Sequence, residues 1–98
     1  MEGRKIIWSK ASIKKLEEIL DFYEIRNGNN NYSKKLYSKI VRDVNLLKVS
    51  AKIGVQTDEE NIRGLIISDY IVFYEIKKST IVILTIWDCQ QNPKNRSY

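Results

Sequence analysis

An α+β fold in the order β-α-α-β-β-β, with a helical hairpin packed on one face of a small, mainly antiparallel sheet, follows from three observations on this 98-residue chain. Two stretches, residues 10–27 and 32–49, repeat apolar side chains at steps of three and four, the period of a helix. Residues 61–93 hold three apolar, β-prone runs separated by short polar breaks. A shorter apolar run, Arg4 to Trp8, precedes the helices and supplies the first strand. The length suits one domain, expected over residues 1–93 with a short polar tail at 94–98.

Each element has its own signals. Ser9 reads as a helix N-cap, whose hydroxyl takes a free backbone N–H of the first turn. Trp8 and Ile13 stand at the spacing of a hydrophobic staple. Ile13, Leu16, Ile19, Leu20 and Tyr23 form the apolar stripe of the first helix, and Gly28 is available for the left-handed position after Asn27. Gly28-Asn29-Asn30-Asn31 then reads as a tight connection. The second helix carries Leu36, Tyr37, Ile40, Val41, Val44 and Leu47, and so short a turn joins the two as an antiparallel pair. Ser50 to Asn61 loses periodicity and reads as a loop. Strands are expected at Ile62–Ser68, Tyr70–Lys77 and Thr80–Trp87. They are apolar at nearly every position, which predicts that both sheet faces are covered. A two-helix hairpin covers one, so the other face requires a partner or stays an exposed apolar patch.

Composition removes several function classes. The chain has no histidine and one cysteine, Cys89, so the Ser-His-Asp and Cys-His systems and a zinc cluster are excluded. No glycine-rich phosphate loop occurs, and no cofactor or metal is expected. No run is long and apolar enough for a membrane span, no secretory signal opens the chain, and a single cysteine suits a reducing compartment, so a cytoplasmic protein is expected. Seventeen basic residues against twelve acidic ones give a net charge of +5, which favours an acidic or nucleic-acid partner. Residues 1–55 account for +6 of this, while residues 56–98 sum to −1.

Arg63 is the leading candidate for chemistry. It is the one cation between Gln56 and Ile76, and Gly64 beside it leaves room for a ligand or partner backbone. Its guanidinium suits a phosphate through two hydrogen bonds; an ion pair with Glu59, Glu60 or Asp88 is the competing reading. Asp58-Glu59-Glu60 offers a general base or a solvated acidic loop. Lys52, Lys77 and Lys78 offer phosphate contacts or solubility.

With this order of elements, the chain resembles the RelE/ParE-family toxins of bacterial type II toxin–antitoxin systems. The likeness spans residues 5–93 and rests on Ile-Ile-Trp-Ser-Lys-Ala-Ser with Leu16 and Ile19, the Asn-rich turn, Ile62-Arg63-Gly64-Leu65, the run Tyr70–Ile76, and Trp87-Asp88-Cys89-Gln90-Gln91-Asn92-Pro93. It implies a growth-inhibiting toxin with a helical hairpin on one sheet face, a groove on the other, and a cognate antitoxin that wraps it in a hetero-oligomer. Family members either cleave mRNA in the ribosomal A site or block DNA gyrase. Arg63 matches the arginine that holds the phosphate in the ribonucleases, and Lys52, Arg63, Lys77 and Tyr98 would form a histidine-free catalytic set. Trp87 stands where many members carry a histidine, and Gln90 where an arginine commonly follows. Those departures and the charge balance of the sheet half favour the gyrase-directed, ParE-like branch over the ribonucleases. A degenerate toxin fold that serves only to bind is a third reading. Ile71, Phe73, Trp87 and Gln90 are the expected partner-binding residues.

Overall fold

The computed structural model describes residues 3–89. Five strands form one sheet in the order β1-β5-β4-β3-β2: β1 (Lys5–Trp8), β2 (Val55–Gln56), β3 (Ile62–Ile67), β4 (Tyr70–Ile76) and β5 (Thr80–Asp88). Only the β1–β5 pair is parallel. Two helices, α1 (Lys10–Asn27) and α2 (Asn31–Asn45), pack against one another; α1 lies on β5 and α2 on β3. The expected order is present, with two additions. The second helix stops at Asn45 and continues as a 3₁₀ turn over Leu46–Lys48, and the segment expected to be a loop contains the two-residue β2.

The entry into α1 is fixed as the sequence predicts. Ser9 is extended, and its Oγ accepts the Ser12 N–H at 3.0 Å. The same hydroxyl donates to the Leu84 carbonyl at 3.0 Å, while the Ser9 N–H donates to Ile83 O. These two carbonyls flank a bulge in β5. Phe73 pairs with Thr85 but Tyr74 pairs with Ile83, so Leu84 has no opposite number. An extra residue of this kind bends a strand and turns its backbone groups out of the ladder; here it carries the helix cap. Gly28 closes α1 at φ 72, the left-handed conformation that costs glycine little.

The core lies between the helices and one face of the sheet. Leu16 and Ile19 from α1, Leu36, Ile40 and Val44 from α2, and Leu47 from the 3₁₀ turn meet Ile67, Tyr70, Val72, Tyr74, Ile81, Ile83 and Ile86. The bulge explains why the buried β5 residues run 81, 83, 86 rather than by strict twos. Removing each of these aliphatic chains from water is worth about 1.5–3 kcal/mol. Ile13 and Tyr37 depart from expectation. Both sit at the margin of their stripes, about half exposed, where with Trp8, Leu20 and Val41 they line a hollow of about 380 Å³ on the helix side.

Candidate functional site

Strand register decides which residues share a face, because directly opposed residues point the same way. On the uncovered side, Val55, Gly64, Phe73 and Thr85 stand in one row, Ile66, Ile71 and Trp87 in the next, and Ile62, Glu75, Val82 and Ile7 in a third. Glu75 is the only charged residue in the three rows. The surface is apolar and open: Ile66 is 62% exposed and Trp87 37%. Phe73 and Trp87 meet edge to face with centroids 5.4 Å apart, a favoured aromatic geometry. A hollow of about 250 Å³ beside them is lined by Val55, Gly64, Ile66, Ile71 and Phe73, with Gln56, Thr57 and Asp58 along its polar rim. Ile71, Phe73 and Trp87, the described members of the expected partner-binding set, thus lie together.

Gly64 serves this face differently from the expected ligand approach. A Cβ there would stand 2.9 Å from Ile71 Cγ2 and 3.3 Å from Phe73 Cε1, so the chain's own side chains already occupy the space over it. The glycine lets the apolar row close over β3.

Arg63 is on the opposite side. It is paired with Tyr74, whose ring is wholly buried under the helices, so the arginine belongs to the covered face at its margin. Its Nη1 donates to Gly54 O at 2.8 Å and to Lys52 O at 3.3 Å. The alternative ion pair with Glu59, Glu60 or Asp88 is not formed; among the described residues the ion pairs are those of Asp43 with Lys39 and Arg42. Arg63 instead holds the connection from the 3₁₀ turn to β2. Tyr74 holds the same segment, its hydroxyl donating to Ala51 O at 2.6 Å and accepting the Gly54 N–H at 3.0 Å. Gly54 is needed for that approach, since a Cβ would stand 2.6 Å from the Tyr74 hydroxyl oxygen. No periodicity signals this clamp, because it joins side chains to a loop backbone.

The structure therefore places Lys52 beside Arg63 through its backbone and Lys77 at the β4–β5 turn, away from both. Asp58, Glu59 and Glu60 are exposed, and the Gln56 side chain donates to the carbonyls of Glu59 and Glu60. Gln90, Tyr98 and the expected tail lie outside the described residues. No group of three or more potential metal ligands converges among the described residues, and no helix there is long and apolar enough to cross a membrane.

Two tyrosines on the covered face are held protonated. Burial pushes the Tyr70 hydroxyl well above the ordinary value of 10.0, aided by its hydrogen bond to the Tyr23 hydroxyl. Tyr74 is also raised by burial, although the Gly54 N–H and Arg63 pull the other way. A folded-state pKa above the unfolded one means that the native chain binds these protons more tightly. The resulting stability is complete below pH ~10 and is lost as pH rises from there through the folded values. The urea midpoint should hold steady to about pH 9 and fall above pH ~10. Phenolate absorbance amounting to all six tyrosines from the folded protein near pH ~10, with the midpoint unmoved, would contradict this.

Comparison with known proteins agrees with this architecture. None of the curated proteins searched matches the sequence. A solved structure described as the chromosomal ParDE TA system from P. aeruginosa contains a chain of the same fold, with a TM-score of 0.75 at 22% identity over 87% of this chain and 95% of that one. The family model for the ParE toxin of the type II toxin–antitoxin system parDE matches residues 6–93. The chain belongs to the ParE toxin family of type II toxin–antitoxin systems.

Proposed function

We propose that this toxin arrests growth by blocking DNA gyrase, and that a cognate antitoxin neutralises it in the cytoplasm by covering the open sheet face. The observation that carries the reading is the chemistry of that face, three rows of mainly apolar residues whose single charge is Glu75. A groove that cleaves RNA needs cations against the phosphates and groups that move a proton. The chain has no histidine, and the Nη1 of Arg63 is engaged with loop carbonyls on the helix side. An apolar face of this kind suits a protein partner instead.

Purified toxin added to a gyrase supercoiling assay tests the target, with transcript ends mapped after induction in cells. Loss of supercoiling without new transcript ends is expected. Codon-linked cuts with gyrase unaffected would place the protein with the ribonucleases, and growth arrest that persists when the neighbouring gene is co-expressed would remove the antitoxin from the reading.

A further inference from the structure

Counted along the chain, positive charge belongs to the helical half, but the fold gathers it differently. Three separate segments meet at the end of the sheet where β1 begins and β4 turns into β5. The Arg4 N–H donates to Lys48 O at 3.0 Å, the Lys5 N–H to Ser79 O at 3.0 Å, and Lys77 N–H to Thr80 O at 2.9 Å. Arg4, Lys5, Lys48, Lys77 and Lys78 are thereby brought to one end of the molecule, and none of them forms an ion pair among the described residues. Four are exposed and Arg4 is half-buried. Arg4 is also held in place, because its Nε donates to Lys77 O at 2.8 Å. That bond leaves the two Nη groups without a partner among the described residues, and a guanidinium fixed by one edge presents the other to an oxyanion.

We propose that this basic end binds the phosphate backbone of duplex DNA, without reading its sequence. Several cations with one pre-oriented arginine match the dense, regular charge of a duplex. Binding to single strands relies on exposed aromatic rings for stacking, and the exposed aromatic side chains among the described residues, Phe22, Tyr32, Tyr37 and Trp87, belong to other parts of the surface. Insertion into a lipid surface needs a continuous apolar face beside the charges; the exposed large apolar residues of these segments are Ile7, which belongs to the open sheet face, and Leu46 and Val49 at the 3₁₀ turn, too few for such a face. The site is independent of which target the toxin attacks.

The test is fluorescence anisotropy of a labelled random-sequence duplex with the purified full chain across a salt series. Five phosphate contacts predict a slope of log K against log salt of about −4.5. The triple substitution Lys5→Gln, Lys77→Gln and Lys78→Gln should make the slope shallower by about 3 and weaken low-salt binding about tenfold or more. A charge-matched control, Lys14→Gln, Lys15→Gln and Lys35→Gln, should leave the slope within about 1 of the parent. Arg4→Lys should lower affinity by less than the triple change while keeping the slope. The proposal is overturned if the triple variant binds as the parent does, or if the control lowers the slope equally, which would make net charge alone the cause. Tighter binding to single-stranded RNA than to the duplex, or binding to anionic vesicles in place of DNA, would overturn it too.

Discussion

Ile71→Asp is expected to weaken antitoxin binding by about three orders of magnitude while leaving the toxin folded. Ile71 stands between Ile66 and Trp87 on the open face, and its Cγ2 fills the space over Gly64. In the free toxin a carboxylate there reaches water, so the loss of fold stability should be about 1 kcal/mol. Under a partner the same charge is buried without a counter-ion, which costs about 3–5 kcal/mol, and each 1.4 kcal/mol is about tenfold in affinity. Calorimetric titration with the antitoxin, paired with a melting curve, separates the two effects. Unchanged affinity would move the antitoxin's main contact to the helix-side hollow lined by Trp8, Ile13 and Tyr37. Growth assays add a second readout. A variant that is toxic despite co-expressed antitoxin implies that the target is engaged elsewhere, whereas a harmless variant implies that target and antitoxin share this face.

The second large effect concerns the covered side. Tyr74→Phe deletes one oxygen and should destabilise the protein by about 2–4 kcal/mol, because Ala51 O and the Gly54 N–H both lose their partner in a buried place. The urea midpoint should fall with the slope unchanged. Arg63→Met acts on the same segment through Gly54 O, so the two changes together should cost less than their sum. A loss below about 0.5 kcal/mol for Tyr74→Phe would mean that water or a shifted loop replaces the hydroxyl. Arg63→Ala read alone as a test of catalysis would mix this structural loss with any effect on RNA.

What the sequence reveals here follows from how local each signal is. Ser9 and Gly28 act on the residues next to them, so both ends of α1 were legible. The apolar runs marked β3, β4 and β5 to within a residue or two. Which face each residue takes was not legible, because that depends on register. Arg63 falls to the helix side only through its pairing with Tyr74, and the bulge at Leu84 shifts the alternation of β5 midway. β2 has two residues, too few for any pattern to register. Dividing charge by position in the chain hid the basic end for the same reason: Arg4, Lys48 and Lys77 become neighbours only when the strands pair.

The parallel pairing of the first strand with the last has a consequence for synthesis. Among the described residues β1 joins no other strand, and Ile6 and Trp8 meet their partners at Ile81 and Ile83. The helix that follows β1 is capped through Ser9 onto the same strand. Contacts so distant along the chain form late, and residues emerge from the ribosome in order. A nascent chain therefore lacks the strand that pairs with β1 until residues 80–88 have left the ribosome, and a product truncated before β5 leaves β1 without its partner.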